Sequence, residues 1–340
     1  MTLKKALVSC IIVLMASLFF VPGDAPAAEP AAKAKPKPIT LKAIIAAPYR
    51  AGGPGQEYVD FCKRVTERAK GELVIEFKGG AETMPPPTQF EAIKKGIVDM
   101  GWLFGGMYQK MAPEIVSFNV SDLSPDEERK SGYHDFMIEV HKKAGMYYVG
   151  RLMGEGFVIS TVKKNVKDPH KDFQGLKIAV VGTMFNDFLT KLGAVPTMVA
   201  PQERYTAFER GVVDGDCGGA TSAFFMGYSE VLKYTVDHRF WTSGGSASLM
   251  RPESWSALPK HLQDLIKDEQ LNTEKLLPAY WDKVLNEAKA KNKAKGMTYV
   301  QFSQADAQWY LTKAKDAKWE ELKATVPEAS YAKLRELLKK

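Results

Sequence analysis

The feature that most constrains the fold of this chain is a short pattern that occurs twice, FEAIKKGIVDMG at residues 90–101 and YTAFERGVVDGD at residues 205–216. Each copy reads as a helix that ends at a glycine, where a left-handed residue is needed. An apolar pair follows, at residues 97–98 and 212–213, which predicts a buried parallel strand. Two copies are too few for a solenoid, so the repeat predicts two similar α/β lobes.

The alignment of the two copies also predicts where a ligand would bind. Gly96 meets Gly211, and Asp99 meets Asp214. In open α/β sheets, ligands bind beyond the carboxyl ends of the strands. We therefore expect the residues that follow the two aspartates to face each other across a cleft. The alternative is that two unrelated αβ units share the same turn residues.

Length and composition agree with an ordinary globular protein. The 340 residues are enough for two domains with their own cores, and 45% of them are apolar. The net charge of +7 comes from many lysines, which alternate with acids on predicted helices. This arrangement is typical of solvated helix faces, so no nucleic-acid binding is predicted.

The N-terminal residues predict export. Lys4 and Lys5 precede an apolar run that ends at residue 21, and small residues follow at 25–27. These features predict a signal peptide over residues 1–27. The apolar run is about 16 residues long, which is shorter than the roughly 20 residues of a membrane span. Residues 28–38 are rich in Pro, Ala and Lys and are predicted to form a disordered linker.

The residue types that carry most enzyme chemistry are not arranged for it. Cys62 and Cys217, which remain after the signal peptide, do not make a disulfide scaffold. The histidines lack metal-ligand spacing, and we find no phosphate-binding loop, dinucleotide fingerprint or nucleophile elbow. We therefore predict no metal, no cofactor and no catalysis. An acid pair that converged in the cleft with a shifted pKa would be the sign of an enzyme instead.

The order of predicted elements divides the chain into two lobes. Lobe I is assigned to residues 39–155 together with 244–283, and lobe II to residues 156–243 together with 284–340. The chain crosses between the lobes near residues 153–156 and 244–248, and both crossings contain glycine pairs, which indicate a hinge. We also predict one helix over residues 126–144 and one or two long helices over residues 259–293.

A series of motifs along the chain resembles the DctP-type solute receptors of TRAP transporters. The motifs are FCKRVTERAKGELVIEFKGG, FEAIKKGIVDMG, DFQGLKI at residues 172–178, LGAVPTMV, YTAFERGVVDG, YSEVLKYTVDH and SWSALPKHLQDLI. TRAP transporters are ATP-independent secondary transporters with an extracytoplasmic binding protein. The resemblance implies an α/β, two-lobed periplasmic-binding-protein-like fold with a hinge and long bracing C-terminal helices. It also implies a monomer in the periplasm, a small-molecule ligand, and small and large permease subunits as partners.

The chain departs from the family pattern at the positions that usually contact the ligand. Proteins similar to this one usually hold a ligand carboxylate with an arginine directly after the QGLKI stretch, where this chain has Ala179. A second arginine is commonly found where this chain has Val158. The usual Glu-Asn-Pro is replaced by Cys217, Gly218 and a further glycine, and Phe104 occupies a polar position.

The absence of these two arginines limits the kinds of ligand that the site can bind. Neither Ala nor Val can replace a bidentate Arg–carboxylate pair, and burying a carboxylate without a partner costs several kcal/mol. Either another cation acts, with Arg50, Arg151 and Arg239 as candidates, or the ligand is neutral or cationic. The predicted binding residues are Arg50, Trp102, Phe104, Tyr108, Arg151, Val158, Ala179, Phe185, Cys217, Gly218, Phe224 and Trp241.

These observations predict an exported solute receptor that delivers a small organic molecule to a TRAP permease. We expect weak binding of C4-dicarboxylates and sialic acid, and preference for a larger, less polar ligand such as an aromatic or branched monocarboxylate. The alternative function with the same fold is presentation of a ligand to a membrane sensor.

Overall fold

A computed structural model describes residues 37–47, 49, 51–53, 55–242 and 244–339. The predicted signal peptide, most of the predicted linker, and Arg50 lie outside the described residues. By their contacts, residues 38–340 form one unit. No helix in the described part of the chain is long and apolar enough to cross a membrane.

Helices and strands alternate along most of this unit. The strands are β1 (Ile39–Ile45), β2 (Leu73–Phe77), β3 (Met100–Phe104), β4 (Tyr147–Leu152), β5 (Phe157–Thr161), β6 (Lys177–Val180), β7 (Val195–Met198), β8 (Gly215–Gly219), β9 (Tyr234–Val236), β10 (Ser246–Met250) and β11 (Thr298–Val300). The α-helices are α1 (Gln56–Arg68), α2 (Pro86–Lys94), α3 (Pro125–Lys130), α4 (Tyr133–Lys143), α5 (Asn186–Lys191), α6 (Arg204–Glu209), α7 (Ser222–Phe225), α8 (Pro252–Ser256), α9 (Lys260–Ala294), α10 (Gln304–Thr325) and α11 (Glu328–Leu337). The longest 3₁₀ segment is Pro113–Asn119.

The strands form two sheets of related topology. The first has the order β2-β1-β3-β10-β4 and the second β11-β9-β5-β8-β6-β7. In each sheet three neighbouring strands are parallel, and the strand that enters from the other sheet, β10 or β5, runs antiparallel beside the repeat strand. Helices cover both faces of both sheets, which agrees with the apolar character of the parallel strands. The two predicted α/β lobes are therefore present.

The two copies of the repeat have the same local structure. Gly96 and Gly211 end their helices with φ of 73° and 66°. The backbone N–H of Asp99 donates to the carbonyl of Lys42 (2.8 Å), and that of Asp214 donates to the carbonyl of Lys177 (2.7 Å). In return, each aspartate carboxylate accepts the backbone N–H of the same lysine, at 2.8 Å and 2.9 Å. The repeat thus fixes the start of one parallel strand pair in each sheet.

The strands of the repeat begin later than predicted. Val98 and Val213 are buried as expected, but Ile97 and Val212 are 57% and 52% exposed and lie in turns. Strands β3 and β8 start only at the residue after each aspartate. The reason is that the aspartate side chain caps the neighbouring strand, so the ladder forms only beyond it.

Removal of these caps tests the repeat. We expect Asp99→Ala and Asp214→Ala each to lower the free energy of unfolding by about 1–3 kcal/mol, because each loses a charge-assisted hydrogen bond. Asp99→Ala should cost more, since this carboxylate also accepts from Ser254 Oγ at 2.7 Å. Urea denaturation measures both, with the exposed Asp282→Ala as control. Negligible effects in all three variants would contradict the stabilising role of these caps.

Long helices connect the two sheets. Helix α9 packs on helix α1 and on strand β4 of the first sheet, and it leads to strand β11 of the second sheet. The chain therefore crosses between the lobes a third time, in addition to the two predicted crossings. Helix α10 packs on the segment Pro113–Asn119 and on α5. The predicted bracing role of the C-terminal helices is confirmed. The strands of each sheet fall within the predicted lobes, whose boundary residues stay a proposal.

One helix prediction differs in detail from the structure. The helix predicted over residues 126–144 is split into α3 and α4 at Gly132, which has φ of 81°. Where one or two long helices were predicted over residues 259–293, the structure has one, α9 (Lys260–Ala294), which continues through Pro278. Its residues on both sides of Pro278 are buried against the first sheet, and this packing offsets the roughly 3 kcal/mol that an internal proline costs.

Candidate functional site

A cavity of about 650 Å³ lies where the two sheets face each other. Its walls include the carboxyl end of β3, the carboxyl end of β8, and both glycine-containing crossings, at residues 154–156 and 244–245. The residues that follow Asp99 and those that follow Asp214 thus line the same space. A volume of this size suits a small organic molecule.

Aromatic side chains form much of the cavity wall. Trp102 and Phe104 come from β3 and meet edge to face, with ring centroids 5.9 Å apart. Phe185 and Trp241 come from the other side of the cavity and stack in parallel at 5.7 Å. Phe104 is 39% exposed, which is unusual for a phenylalanine at a strand end and leaves its ring available to a ligand.

The structure brings half of the predicted binding residues together. Those that line the cavity are Trp102, Phe104, Phe185, Cys217, Gly218 and Trp241. Those that are described but lie outside its lining are Tyr108, Arg151, Val158, Ala179 and Phe224. Arg50 is not among the described residues.

The five described residues outside the lining have other surroundings. Tyr108 is buried in the core of the first lobe, with its hydroxyl 3.1 Å from His141 Nε2. Val158 and Ala179 are buried within β5 and β6. Lys291 Nζ lies over the ring of Phe224, 4.7 Å from its centroid.

Arg151 forms a buried ion pair instead of facing the cavity. Its Nη2 lies 2.9 Å from Glu128 Oε1, and both side chains are 2% exposed. The same nitrogen donates to the carbonyl of Leu123 at 3.1 Å. Arg239, the third candidate cation, donates to the backbone carbonyl of Glu155 at 3.0 Å and does not line the cavity.

Arg204, which was not predicted, is the one arginine among the described residues that lines the cavity. Its side chain is only 6% exposed and forms an ion pair with Asp216 at 2.5 Å through Nη1. Its Nε donates to the carbonyl of Val199 at 3.1 Å, while Nη2 is buried without a hydrogen-bond partner. A buried donor without a partner is costly, so this guanidinium can accept a further anionic or carbonyl group from a ligand.

A weak sequence signal for Arg204 existed. It begins helix α6, where the helix dipole disfavours a cation. It also aligns with Gln89 of the first repeat, which is fully buried and donates to the carbonyls of Ile45 and Met84. A charged residue at a position of this kind indicates a specific partner, but the sequence does not say which.

The glycines that replace the usual Glu-Asn-Pro make room for two carboxylates. A Cβ on Gly218 would lie 2.7 Å from Asp216 Oδ2. A Cβ on Gly219 would lie 2.3 Å from Glu155 Oε1. These glycines are therefore required by the acids packed against them, which the sequence alone did not indicate.

Both carboxylates are held in a desolvated environment. Burial raises the pKa of Asp216 to about 6, although the Arg204 guanidinium acts in the opposite direction. Burial likewise raises the pKa of Glu155 to about 6, against the Thr221 side chain, the backbone N–H of Thr221, which donates to Oε2 at 2.5 Å, and the charge of Arg239. Glu155 lines the cavity, whereas Asp216 lies behind Arg204.

A second charged pair closes the cavity on the side of α10. Lys318 Nζ donates to Glu321 Oε2 (2.6 Å) and to the carbonyl of Met184 (2.7 Å), and lies 4.3 Å from the centroid of the Trp241 ring. Gln109 of the first lobe donates to the other oxygen of Glu321 at 2.6 Å. Burial lowers the pKa of Lys318, whose charge is balanced by Glu321.

The acids of the repeat do not converge in the cavity. Asp99 and Asp214 each bond to the backbone at a strand start, outside the lining residues. Among the residues that the structure describes, no cluster of three or more His, Cys, Asp or Glu is placed to hold a metal. Cys62 and Cys217 are buried and free. The arrangement is suited to holding a solute between apolar rings and a few charged groups.

Fold and cavity together define the class: a two-lobed solute-binding protein with its ligand cleft between α/β lobes. Residues 54–324 match the family described as bacterial extracellular solute-binding protein, family 7, DctP. The chain therefore belongs to this family, and the resemblance found in the sequence is confirmed.

Known proteins agree with this assignment. The C4-dicarboxylate-binding periplasmic protein DctP of Rhodobacter capsulatus is 24% identical over 304 residues, which cover 86% of this chain and 85% of that protein. A monocarboxylate 2-oxoacid-binding periplasmic protein of a Nostoc strain is 23% identical over 258 residues, covering 71% of this chain and 68% of that protein. A TRAP periplasmic solute binding protein from Desulfovibrio salexigens, solved with bound orotic acid, has a TM-score of 0.73 at 18% identity and covers 88% of this chain and 97% of its own.

Proposed function

We propose that this protein is the extracytoplasmic receptor of a TRAP transporter, which captures an organic acid in the cavity between its lobes. The observation that carries the proposal is Arg204, a buried guanidinium that lines the cavity together with several aromatic rings and has one nitrogen without a partner. A carboxylate is the ligand group that best matches a guanidinium, in both charge and geometry.

The proposed acid is larger and less polar than a C4-dicarboxylate. The rings of Trp102, Phe104, Phe185 and Trp241 offer more apolar surface than a small diacid can cover. Val158 and Ala179, where the family resemblance implies arginines, are buried within β5 and β6 and do not line the cavity. The name of the relative from Rhodobacter capsulatus describes it as a C4-dicarboxylate-binding protein. This chain and that relative are therefore proposed to bind different ligands.

The proposal includes export and delivery. An N-terminal signal peptide over residues 1–27 would send the chain to the periplasm, where the mature protein captures its ligand as a monomer. The bound, closed form would then dock on the small and large permease subunits in the membrane. This route is supported by the family assignment and by the pattern of the first residues.

A ligand screen tests the function. The mature protein, freed of co-purified molecules by unfolding and refolding, is screened by thermal shift against dicarboxylates, 2-oxo acids, aromatic and branched monocarboxylates, amino acids and neutral solutes. A bound ligand raises the melting temperature by mass action. We expect the largest shift with a monocarboxylate that has an apolar body, and calorimetry should show stoichiometric binding without turnover. Shifts with neutral solutes alone would overturn the assignment to organic acids.

Ligand binding is expected to close the two lobes. The crossings contain Gly154, Gly156, Gly244 and Gly245, of which Gly156 and Gly245 have positive φ (76° and 52°), and such positions absorb the backbone rotation of a hinge. Small-angle scattering should show a smaller radius of gyration when the acid found in the screen is saturating. The control is Arg204→Met with the same acid, which should stay extended. An unchanged radius in the wild type at saturation would contradict hinge closure.

A further inference from the structure

The charged side chains around the cavity restrict the chemical class of the ligand further than to an organic acid. This inference rests on the receptor function proposed above. The charged side chains that line the cavity are Glu155, Arg204, Lys318 and Glu321, and Asp216 lies directly against Arg204. In the described part of the chain the cavity is therefore surrounded by two cations and three carboxylates. A site of this balance does not attract a dianion, because a second ligand carboxylate would have no cation to meet.

Four of these five charged side chains form two ion pairs, each without net charge. Lys318 and Glu321 bond to each other at 2.6 Å, and the Arg204–Asp216 pair lies at 2.5 Å. Arg204 keeps a free donor, Nη2, whereas Lys318 has its neighbours Met184, Glu321 and the ring of Trp241. Arg204 is thus the group that can take a ligand carboxylate.

Glu155 is the cavity carboxylate without an ion-pair partner among the described residues. Its hydrogen bonds come from the backbone N–H and the side chain of Thr221. Arg239 donates to its backbone carbonyl and acts on the carboxylate only through its charge, from beyond ion-pair distance. A half-buried carboxylate in this position is best stabilised by a cationic group that arrives with the ligand.

The uncharged side chains of the cavity wall also include both a hydrogen-bond donor and a hydrogen-bond acceptor without partners. Trp102 Nε1 is a buried donor without a partner, and Asn119 Oδ1 is a buried acceptor without a partner; both residues line the cavity. Their presence calls for a ligand with both kinds of group, because each unpaired group costs about 1–3 kcal/mol when buried.

Arg204 and Glu155 line the same cavity near the carboxyl end of β8. Asp216, which holds Arg204, packs against Gly218, and Glu155 packs against Gly219, the next residue of the strand. Because successive strand residues project to opposite faces, the two carboxylates flank β8 from its two sides. A ligand that lies across the carboxyl end of β8 can therefore contact the guanidinium of Arg204 and the carboxylate of Glu155.

We propose that the ligand is a zwitterion of the amino-acid type: its carboxylate binds Arg204, its ammonium group binds Glu155, and its apolar body packs on Trp102 and Phe104. This assigns Glu155 as the residue that distinguishes amino acids from plain organic acids. A dicarboxylate is excluded by Glu155, and an uncharged solute leaves both charged groups without a partner.

Matched pairs of acids test this proposal by calorimetry. The probes are L-phenylalanine against 3-phenylpropanoate, and L-leucine against 4-methylpentanoate, so each pair shares its apolar body and carboxylate and differs in the ammonium group. In the wild type we expect at least one amino acid to bind roughly tenfold or more tightly than its partner, as a charge-assisted hydrogen bond would give. In Glu155→Gln, which keeps an acceptor for Thr221, the amino acid and its partner should bind equally. In the exposed Glu91→Gln the preference should remain.

Each result decides the question. Equal or tighter binding of the acid without the ammonium group, or a preference that persists in Glu155→Gln, would overturn the zwitterion while the receptor for organic acids stands. If none of these four probes binds, the acids found in the screen are compared with their 2-amino derivatives. Equal or tighter binding of the acid without the amino group would again refute the proposal. If no carboxylate of any kind binds, the proposed function fails and the zwitterion fails with it. Circular dichroism of Glu155→Gln confirms that the variant is folded.

Discussion

Replacement of Arg204 by methionine is expected to weaken binding of the acid identified in the screen by about 100-fold or more. The guanidinium lines the cavity and keeps one nitrogen, Nη2, without a partner, and a ligand carboxylate buried without it loses a hydrogen-bonded charge pair worth roughly 2–5 kcal/mol. Methionine retains the length of the side chain and its apolar contacts, so the loss reports the charge and not the volume. Calorimetry gives the affinities directly.

The variant also removes the partner of Asp216, and this effect must be separated from binding. Asp216 is 2% exposed, and without the guanidinium its charged form would be still less favourable. Arg204→Met is therefore expected to be less stable than the wild type. The double variant Arg204→Met with Asp216→Asn, which removes both charges, should recover stability without recovering affinity. The exposed Arg210→Met on the following turn should change neither. Wild-type affinity in a folded Arg204→Met variant would show that the carboxylate is held elsewhere.

Replacement of Arg151 by methionine should have the opposite effect, a large loss of stability with unchanged ligand affinity. Arg151 was a candidate for the missing clamp, but the structure pairs it with Glu128 in the interior, with both side chains 2% exposed. Removal of one partner from a buried pair leaves an uncompensated charge and typically costs about 3–5 kcal/mol. Burial already raises the pKa of Glu128, and the loss of the Arg151 charge would raise it further.

Urea denaturation and calorimetry together check this expectation. The double variant Arg151→Met with Glu128→Leu should be more stable than Arg151→Met alone, since it leaves no buried charge. Arg210→Met again serves as the exposed control, with an effect within about 0.5 kcal/mol. A stable Arg151→Met variant that loses its affinity for the acid would place Arg151 in the binding site and contradict the ion pair.

These two arginines show how far local sequence reasoning reaches. Arg151 was predicted as a candidate cation because it lies beside a crossing, whereas Arg204, which lies at the start of a repeat helix, was not predicted. Both side chains are long, and which group each contacts is decided by neighbours that are distant in sequence, Leu123 and Glu128 for one and Asp216 for the other. Sequence proximity to a hinge therefore carries little information about where a guanidinium points.

The apolar part of the site was more accessible to prediction. Trp102 and Phe104 lie in the strand that follows the repeat aspartate Asp99, and backbone topology alone places the end of that strand at the cleft. Tyr108, only a few residues further on, turns into the core and bonds to His141. Position along a strand is predictable because the pairing register fixes it, whereas a loop residue can turn to either side.

The sequence by itself determined the two α/β lobes, the family and the aromatic character of the cleft, because helix-ending glycines and the apolar pattern of strands act through neighbours close in the chain. Only the tertiary structure decided which charges meet in the cavity. The third crossing by α9, the pairing of Arg204 with Asp216, and the position of Glu155 over Gly219 all depend on how separate elements pack. The physical reason is that a side-chain charge is placed by the few contacts at its tip, and these contacts form only when distant segments of the chain come together.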